Sequence, residues 1–161
     1  MPKLPPGKAV VIYGRKTQSG YGVGYKVVTE GNWSSVPIIE AHAFLPIHER
    51  KLDISMDDVH TFRQGVRTKA RVKVTATVQI SAKSKAVMVA AENLLDKSDE
   101  EIDRIATNVI EGTIRGSFND KGVDVVEQDL KGFQKGCIAM ASVDLMSIGI
   151  EVIDLAIHEV R

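Results

Sequence analysis

The sequence predicts an α+β domain: strands first, helices after them, and one closing strand. Three observations carry this. Apolar and polar residues alternate with period two from Val66 to Ile80. From Lys85 the apolar residues instead recur at helical spacing. The chain then ends in a second β-type run, "IGIEVIDLAIHEV". Strands followed by helices imply helices packed on one side of a curved, mainly antiparallel sheet.

The first half contains short strand candidates. "AVVIYG" is an apolar run ended by Gly14, and "YKVVTEG" and "WSSVPII" follow a Gly- and Ser-rich loop. Pro37 and Pro46 confine their segments to edges, turns or strand starts, because proline cannot donate to a ladder. Leu52, Ile54 and Met56 alternate with Asp53, Ser55 and Asp57. In the long strand, Ala70, Val72, Val74, Ala76, Val78 and Ile80 share one face with Val66, and only Thr68 breaks the pattern. A hairpin turning at Phe62 to Gly65 would bring the acids of the first strand near the bases of the second.

In the second half, Lys85 to Leu95 makes one helix. Ser98 and Glu101 form a capping box for the next, and Asp99 and Glu100 suit the positive end of its dipole. Ile102, Ile105, Ala106, Val109, Ile110, Thr113 and Ile114 continue it at 3–4 spacing. "VDVVEQ" reads as a short helical piece, and Leu130, Phe133, Cys137, Met140 and Ala141 mark one face of a further helix. In the last strand the apolar phase slips at Val152–Ile153, which fits either a bulge or burial on both faces.

Composition narrows the function classes. The 161 residues are 43% hydrophobic and 26% charged, enough for a single domain over 1–161 with its own core, residues 1–8 being a flexible N-terminus. Lysine plus arginine balance aspartate plus glutamate at 21 each, so bulk charge gives no reason to expect nucleic acid. Cys137 is the single cysteine, which excludes an internal disulfide framework. No apolar run reaches the ~18 residues of a membrane span. The chain itself is expected to be soluble and cytoplasmic.

No constellation of catalytic groups emerges, and no enzyme, metal or cofactor is expected. "GYGVGY", Gly20 to Tyr25, is followed by a strand rather than the helix a phosphate loop requires, so it reads as a turn. His42 and His48, with His60 further on, lack the cysteine partners of closed zinc sites. Cys137 sits on an apolar stripe with no local cation to lower its pKa, and reads as a small hydrophobe.

One charge feature stands out. Arg67, Lys69, Arg71 and Lys73 point to the same side of the long strand. They could meet anionic lipid headgroups or another partner. The simpler reading is a solvated face paired with Asp53 and Asp57.

"VIEGTIRGSF", Val109 to Phe118, is the second unusual stretch. Gly112 and Gly116 fall inside a strong helix pattern, where each costs about 1 kcal/mol relative to alanine. A helix wheel built from Ile102 puts Gly116 in the apolar stripe and Gly112 at its edge. They are therefore expected to form a small-residue strip where backbone packs closely. Glu111 and Arg115 should make an i,i+4 pair on the polar side, with Arg115 as a surface tether.

Specific residues carry a family resemblance. The junction Leu95, Asp96, Lys97, Ser98 and the helix end Ile110, Glu111, Gly112, Thr113, Ile114, Arg115 resemble the Leu-Gly-Lys-Ser and Leu-Glu-Gly-x-Leu-Arg motifs of the flotillins. "DLMSIGIEV", from Asp144, and the upstream "GYKVVTEGN" and "VHTFRQGVRTKARVKVTATVQI" are similar to further flotillin segments, so nearly the whole chain is covered. Asp96 departs from the motif glycine. The resemblance implies an SPFH, or prohibitin-homology, domain. It further implies a non-enzymatic scaffold that assembles into homo-oligomers at a membrane face. There it would organise membrane lipids and membrane proteins, without nucleic acid. The family's membrane anchor and C-terminal coiled coil are not among these residues, so peripheral membrane association is expected of a longer parent. The alternative is a soluble module that binds nucleic acid or another anion on the 67–73 face.

Overall fold

The computed structural model describes residues 2–13, 25–33 and 41–161. The expected strand "WSSVPII" and the glycine cluster of 20–25 fall outside these residues, apart from Trp33 and Tyr25. The fold is α+β. In chain order come β1 (Lys8–Tyr13), β2 (Tyr25–Val28), β3 (Ala41–Pro46), β4 (Arg50–Arg63), β5 (Val66–Ile80), α1 (Ser84–Leu94), α2 (Asp99–Asp120), α3 (Val123–Gln128), α4 (Leu130–Met146) and β6 (Ile150–Val160).

The described strands form two antiparallel three-stranded sheets rather than one, in the orders β2-β1-β3 and β4-β5-β6. β1 is buried on both faces. Ala9 and Val11 join the main core, while Val10 and Ile12 face a second cluster closed by Trp33, Leu4 and Val28. The opening residues make backbone hydrogen bonds to the segment that follows β2. The Leu4 amide donates to the Gly31 carbonyl, and the Trp33 amide donates to the Pro2 carbonyl.

β4 and β5 make the predicted hairpin. Arg63 pairs with Val66, and Gln64 and Gly65 form the turn with φ of 50° and 77°. Positive φ at both central residues matches the right-handed twist of a two-residue hairpin. The Gln64 amide also donates to Asp124 Oδ2 at 3.0 Å, which docks the turn on α3.

The even-numbered residues Ala70 to Ile80 of β5 are buried, and the odd-numbered face is solvated or half-exposed. On the buried face, α2 packs against β4 and α4 packs against β6 and α2. Phe118 and Phe133 join the two helices at 4.8 Å between ring centroids. The phase slip in β6 is a bulge: Val78 pairs with Val152 and Thr77 with Asp154, leaving Ile153 unopposed and 42% exposed.

α2 starts as its sequence predicts, with Ser98 Oγ accepting from the Glu101 amide at 3.2 Å. A buried guanidinium reinforces this end. Arg50, at the start of β4, donates to Asp103 Oδ1 at 3.0 Å and to both the carboxylate and the carbonyl of Asp99.

The buried seams of both long helices follow a four-residue step. In α2 the seam is Ile102, Ala106, Ile110, Ile114 and Phe118; in α4 it is Phe133, Cys137, Ala141 and Leu145. Four residues turn a helix about 400°, so such a seam drifts about 40° per step around the axis. A fixed wheel over 22 residues loses track of it. Two expectations fail for this reason. Met140, assigned to the inner face of α4, is 56% exposed. Gly112 and Gly116 lie on the side of α2 away from its buried seam, and both are exposed.

Candidate functional site

The cationic row of β5 stands on the open face of its sheet, with Arg67, Lys69, Arg71 and Lys73 all exposed. Its surroundings are set by an irregularity in β4. Met56 pairs with Val72 and Val59 with Ala70, so Asp57 and Asp58 together oppose Arg71. This two-against-one bulge puts Asp58 in the left-handed region, at φ 56°, a conformation that aspartate tolerates better than most residues.

The bulge delivers two carboxylates to the row. Asp57 Oδ1 accepts from Arg71 Nε at 2.8 Å, and Asp58 Oδ1 lies 3.7 Å from Lys69 Nζ. Lys73 Nζ pairs with Glu159 Oε2 at 3.3 Å, and Arg161 Nε reaches the other oxygen of Glu159 at 2.7 Å. Arg67 sits over the Phe62 ring at 5.4 Å. Asp53, expected among the partners of the row, is in register with Thr75 and accepts from its hydroxyl at 3.2 Å. The expected cross-strand pairing thus holds for Asp57 but not for Asp53. The sequence did not signal the bulge that recruits Asp58, nor the contribution of β6.

Arg161 extends this face. Its amide and carbonyl exchange hydrogen bonds with those of Arg71, at 3.0 and 2.8 Å. Asp57, Asp58, Lys69, Arg71 and Arg161, with Ala70 at the base, line a shallow concavity of about 280 Å³. All the charges there are exposed, so their mutual pairing is weak and competes with water or an external anion. The chemistry available is reversible binding of charged groups.

The α2 residues singled out by sequence are arranged differently from expectation. Among the described residues, a Cβ built on Gly112 or Gly116 would meet nothing within 4 Å beyond its own helix, so neither glycine accommodates a close neighbour there. Arg115 does not pair with Glu111. Its guanidinium donates instead to the carbonyls of Asp57 and Asp58, at 3.2 and 3.5 Å, clamping α2 to the β4 bulge. Close packing belongs instead to the glycine of the "DLMSIGIEV" segment, for which no packing role was expected. At Gly149, between α4 and β6, φ is +89° and a Cβ would lie 2.5 Å from the Ala90 backbone of α1.

The other candidates are dispersed. His42 stacks on Trp33 at 4.5 Å between centroids, and His60 pairs with Lys69 across the hairpin. Among the described residues, no group of three or more His, Cys, Asp or Glu is placed to hold a metal ion. Cys137 is buried, and burial pushes its thiol pKa up, against smaller opposing effects from Ser117 and Lys121. No helix among the described residues is long and apolar enough to cross a membrane.

Antiparallel sheets with helices packed on one face are consistent with the α+β fold of an SPFH domain. The SPFH domain / Band 7 family model matches residues 2–161, and the chain belongs to that family. It is 29% identical over 136 residues to the flotillin-like protein FloT of Bacillus subtilis (strain 168), covering 84% of this chain and 26% of that protein. It is 28% identical over 160 residues to flotillin-1 of Carassius auratus, covering 97% of this chain and 35% of the relative. With flotillin-1 of Drosophila melanogaster it shares 31% identity over 93 residues, 56% of this chain and 22% of the relative. The chain thus spans between 22% and 35% of the length of these relatives.

Proposed function

We propose that this chain is the non-enzymatic scaffold domain of a membrane-associated, flotillin-like protein. In this reading it assembles with copies of itself and organises lipids and membrane proteins at a membrane surface. The observation that carries the reading is the family match across residues 2–161. The open face of β4-β5-β6 supports it. A broad, exposed charged surface suits a lipid headgroup layer better than a small-molecule substrate, which calls for a concave and mostly apolar pocket. We assign the contact with anionic headgroups to Arg67, Lys69, Arg71 and Lys73, with Arg161 beside them.

The second reading is a soluble module that binds nucleic acid through the same cations. The aromatic content is 5%, and no aromatics alternate with the row, so the stacking platforms of single-strand binders are missing from it. Sedimentation with vesicles containing phosphatidylserine, run beside an oligonucleotide mobility shift, separates the two. The scaffold reading expects co-sedimentation without a shift. A shift without co-sedimentation overturns it.

A further inference from the structure

We infer that the concavity between the β4 bulge and the end of β6 is a binding site for a phospholipid headgroup that carries both a phosphate and a primary ammonium. Asp57 and Asp58 take the ammonium, and Arg71 and Arg161 take the phosphate. This rests on the membrane reading of the open face and deepens it by naming the headgroup chemistry.

The starting point is a like-charge pair. Arg71 and Arg161 exchange both main-chain hydrogen bonds, so they stand directly opposite one another, on β5 and just past the end of β6. Their side chains therefore rise from the same face, with Cα atoms about 5.5 Å apart. Like charges in that position destabilise a sheet. An anion lying between the two guanidiniums removes the repulsion and engages two cations at once.

Both arginines keep donors for such an anion. Each meets a carboxylate of the chain through Nε: Arg71 with Asp57 at 2.8 Å, and Arg161 with Glu159 at 2.7 Å. Among the described residues, no hydrogen bond engages the terminal Nη groups of either. Those groups form the flat fork that suits phosphate oxygens. Lys69, two residues from Arg71 on β5, adds a third cation to the same concavity.

The acids set the other half of the ligand. The bulge presents two carboxylates, Asp57 and Asp58, where a regular strand presents one. Asp58 Oδ1 is 3.7 Å from Lys69 Nζ, too far for a hydrogen bond, and Asp57 accepts from Arg71 through one oxygen. Acceptors are therefore open beside the donors, around a volume of about 280 Å³. A purely anionic ligand would have to lie against these carboxylates, whereas a zwitterion satisfies both signs. The span fits as well. Neighbouring strands are about 4.8 Å apart, and the N–C–C–O–P chain of a phosphoethanolamine unit reaches ~5 Å. A choline headgroup carries the same charges but has no N–H to donate.

The test compares vesicles of equal surface charge, with phosphatidylserine or phosphatidylglycerol at equal mole fraction in phosphatidylcholine. Both lipids are anionic, but only the first has an ammonium. The wild type should bind the serine lipid at least about threefold more tightly, the scale of one exposed ion pair. The Asp57→Asn/Asp58→Asn variant should bind the two alike. Asparagine tolerates positive φ, and Arg115 holds only the main-chain carbonyls of these two residues, so the variant should keep its fold, which circular dichroism checks. Equal wild-type affinity for the two vesicles overturns the inference and leaves the membrane reading standing. So does a preference for the serine lipid that survives in the variant. Binding to neither vesicle overturns both. Soluble glycerophosphoserine, followed by NMR titration, identifies the source of the headgroup chemistry. Shifts at Arg71 and Arg161 without vesicle binding would mean a free phosphorylated amine and would overturn the assignment to a lipid.

Discussion

The guanidinium of Arg115 on α2 donates to two successive main-chain carbonyls of β4, those of Asp57 at 3.2 Å and Asp58 at 3.5 Å. The side chains of the same two aspartates turn outward to Arg71 and Lys69. The bulge therefore links the helix layer to the charged face. Arg115→Ala should lower stability by about 1 kcal/mol, the usual worth of such hydrogen bonds. Glu111→Ala should stay within about 0.5 kcal/mol, since Glu111 has no part in the clamp. Urea midpoints of the two variants check this, and equal losses would restore the Glu111–Arg115 pairing.

Gly112→Ala and Gly116→Ala should each stabilise the isolated subunit. The new methyl enters open space, and alanine is favoured over glycine in a helix interior by about 1 kcal/mol. Melting temperatures taken at low protein concentration should rise by about 2–4 °C per substitution. A fall would mean that the glycines are packed after all.

Gly149→Ala should do the opposite. Positive φ and a Cβ placed 2.5 Å from the backbone of α1 combine backbone strain with overpacking, for a loss of at least about 2 kcal/mol. Chemical denaturation measures it, and a wild-type midpoint would show that α1 can retreat without loss.

Acid should loosen the start of α2. The hydrogen bond from Arg50 holds the Asp99 carboxyl below its ordinary value of 3.8, against a smaller opposing effect of burial. A carboxyl with a depressed folded-state pKa contributes stability that is present above its unfolded value and lost as pH falls through the folded one. Stability should therefore decline below about pH 4, and Asp99→Asn should flatten that decline while lowering stability at neutral pH. Denaturation midpoints across an acid series test both, and parallel curves for variant and wild type would show that Asp99 has no part in the acid response.

Much of this architecture was legible because it is periodic or locally capped. The alternation from Val66 to Ile80 marked the strand with its true ends, and Ser98 with Glu101 marked the start of α2. The slip at Val152–Ile153 was visible because it disturbed an apolar pattern, though it fitted burial on both faces as well as the bulge that is found. The bulge at Asp57–Asp58 gave no such sign, since both residues are polar and exposed. The charged row itself was evident, but its partners depend on that bulge and on β6, which lies about 85 residues away in the chain. The glycines were misplaced because a seam with a four-residue step winds around its helix, while a wheel holds it fixed.

The charged face of β5 is the proposed contact with a membrane, and charge reversal within it is the most direct measurement. Binding of the wild type and of the Lys69→Glu/Arg71→Glu variant to phosphatidylserine-containing vesicles should be compared at equal ionic strength. Each cation near such a surface contributes about 1 kcal/mol. The variant should therefore bind at least about tenfold more weakly, with unchanged circular dichroism. Equal binding by the two proteins would contradict the assignment.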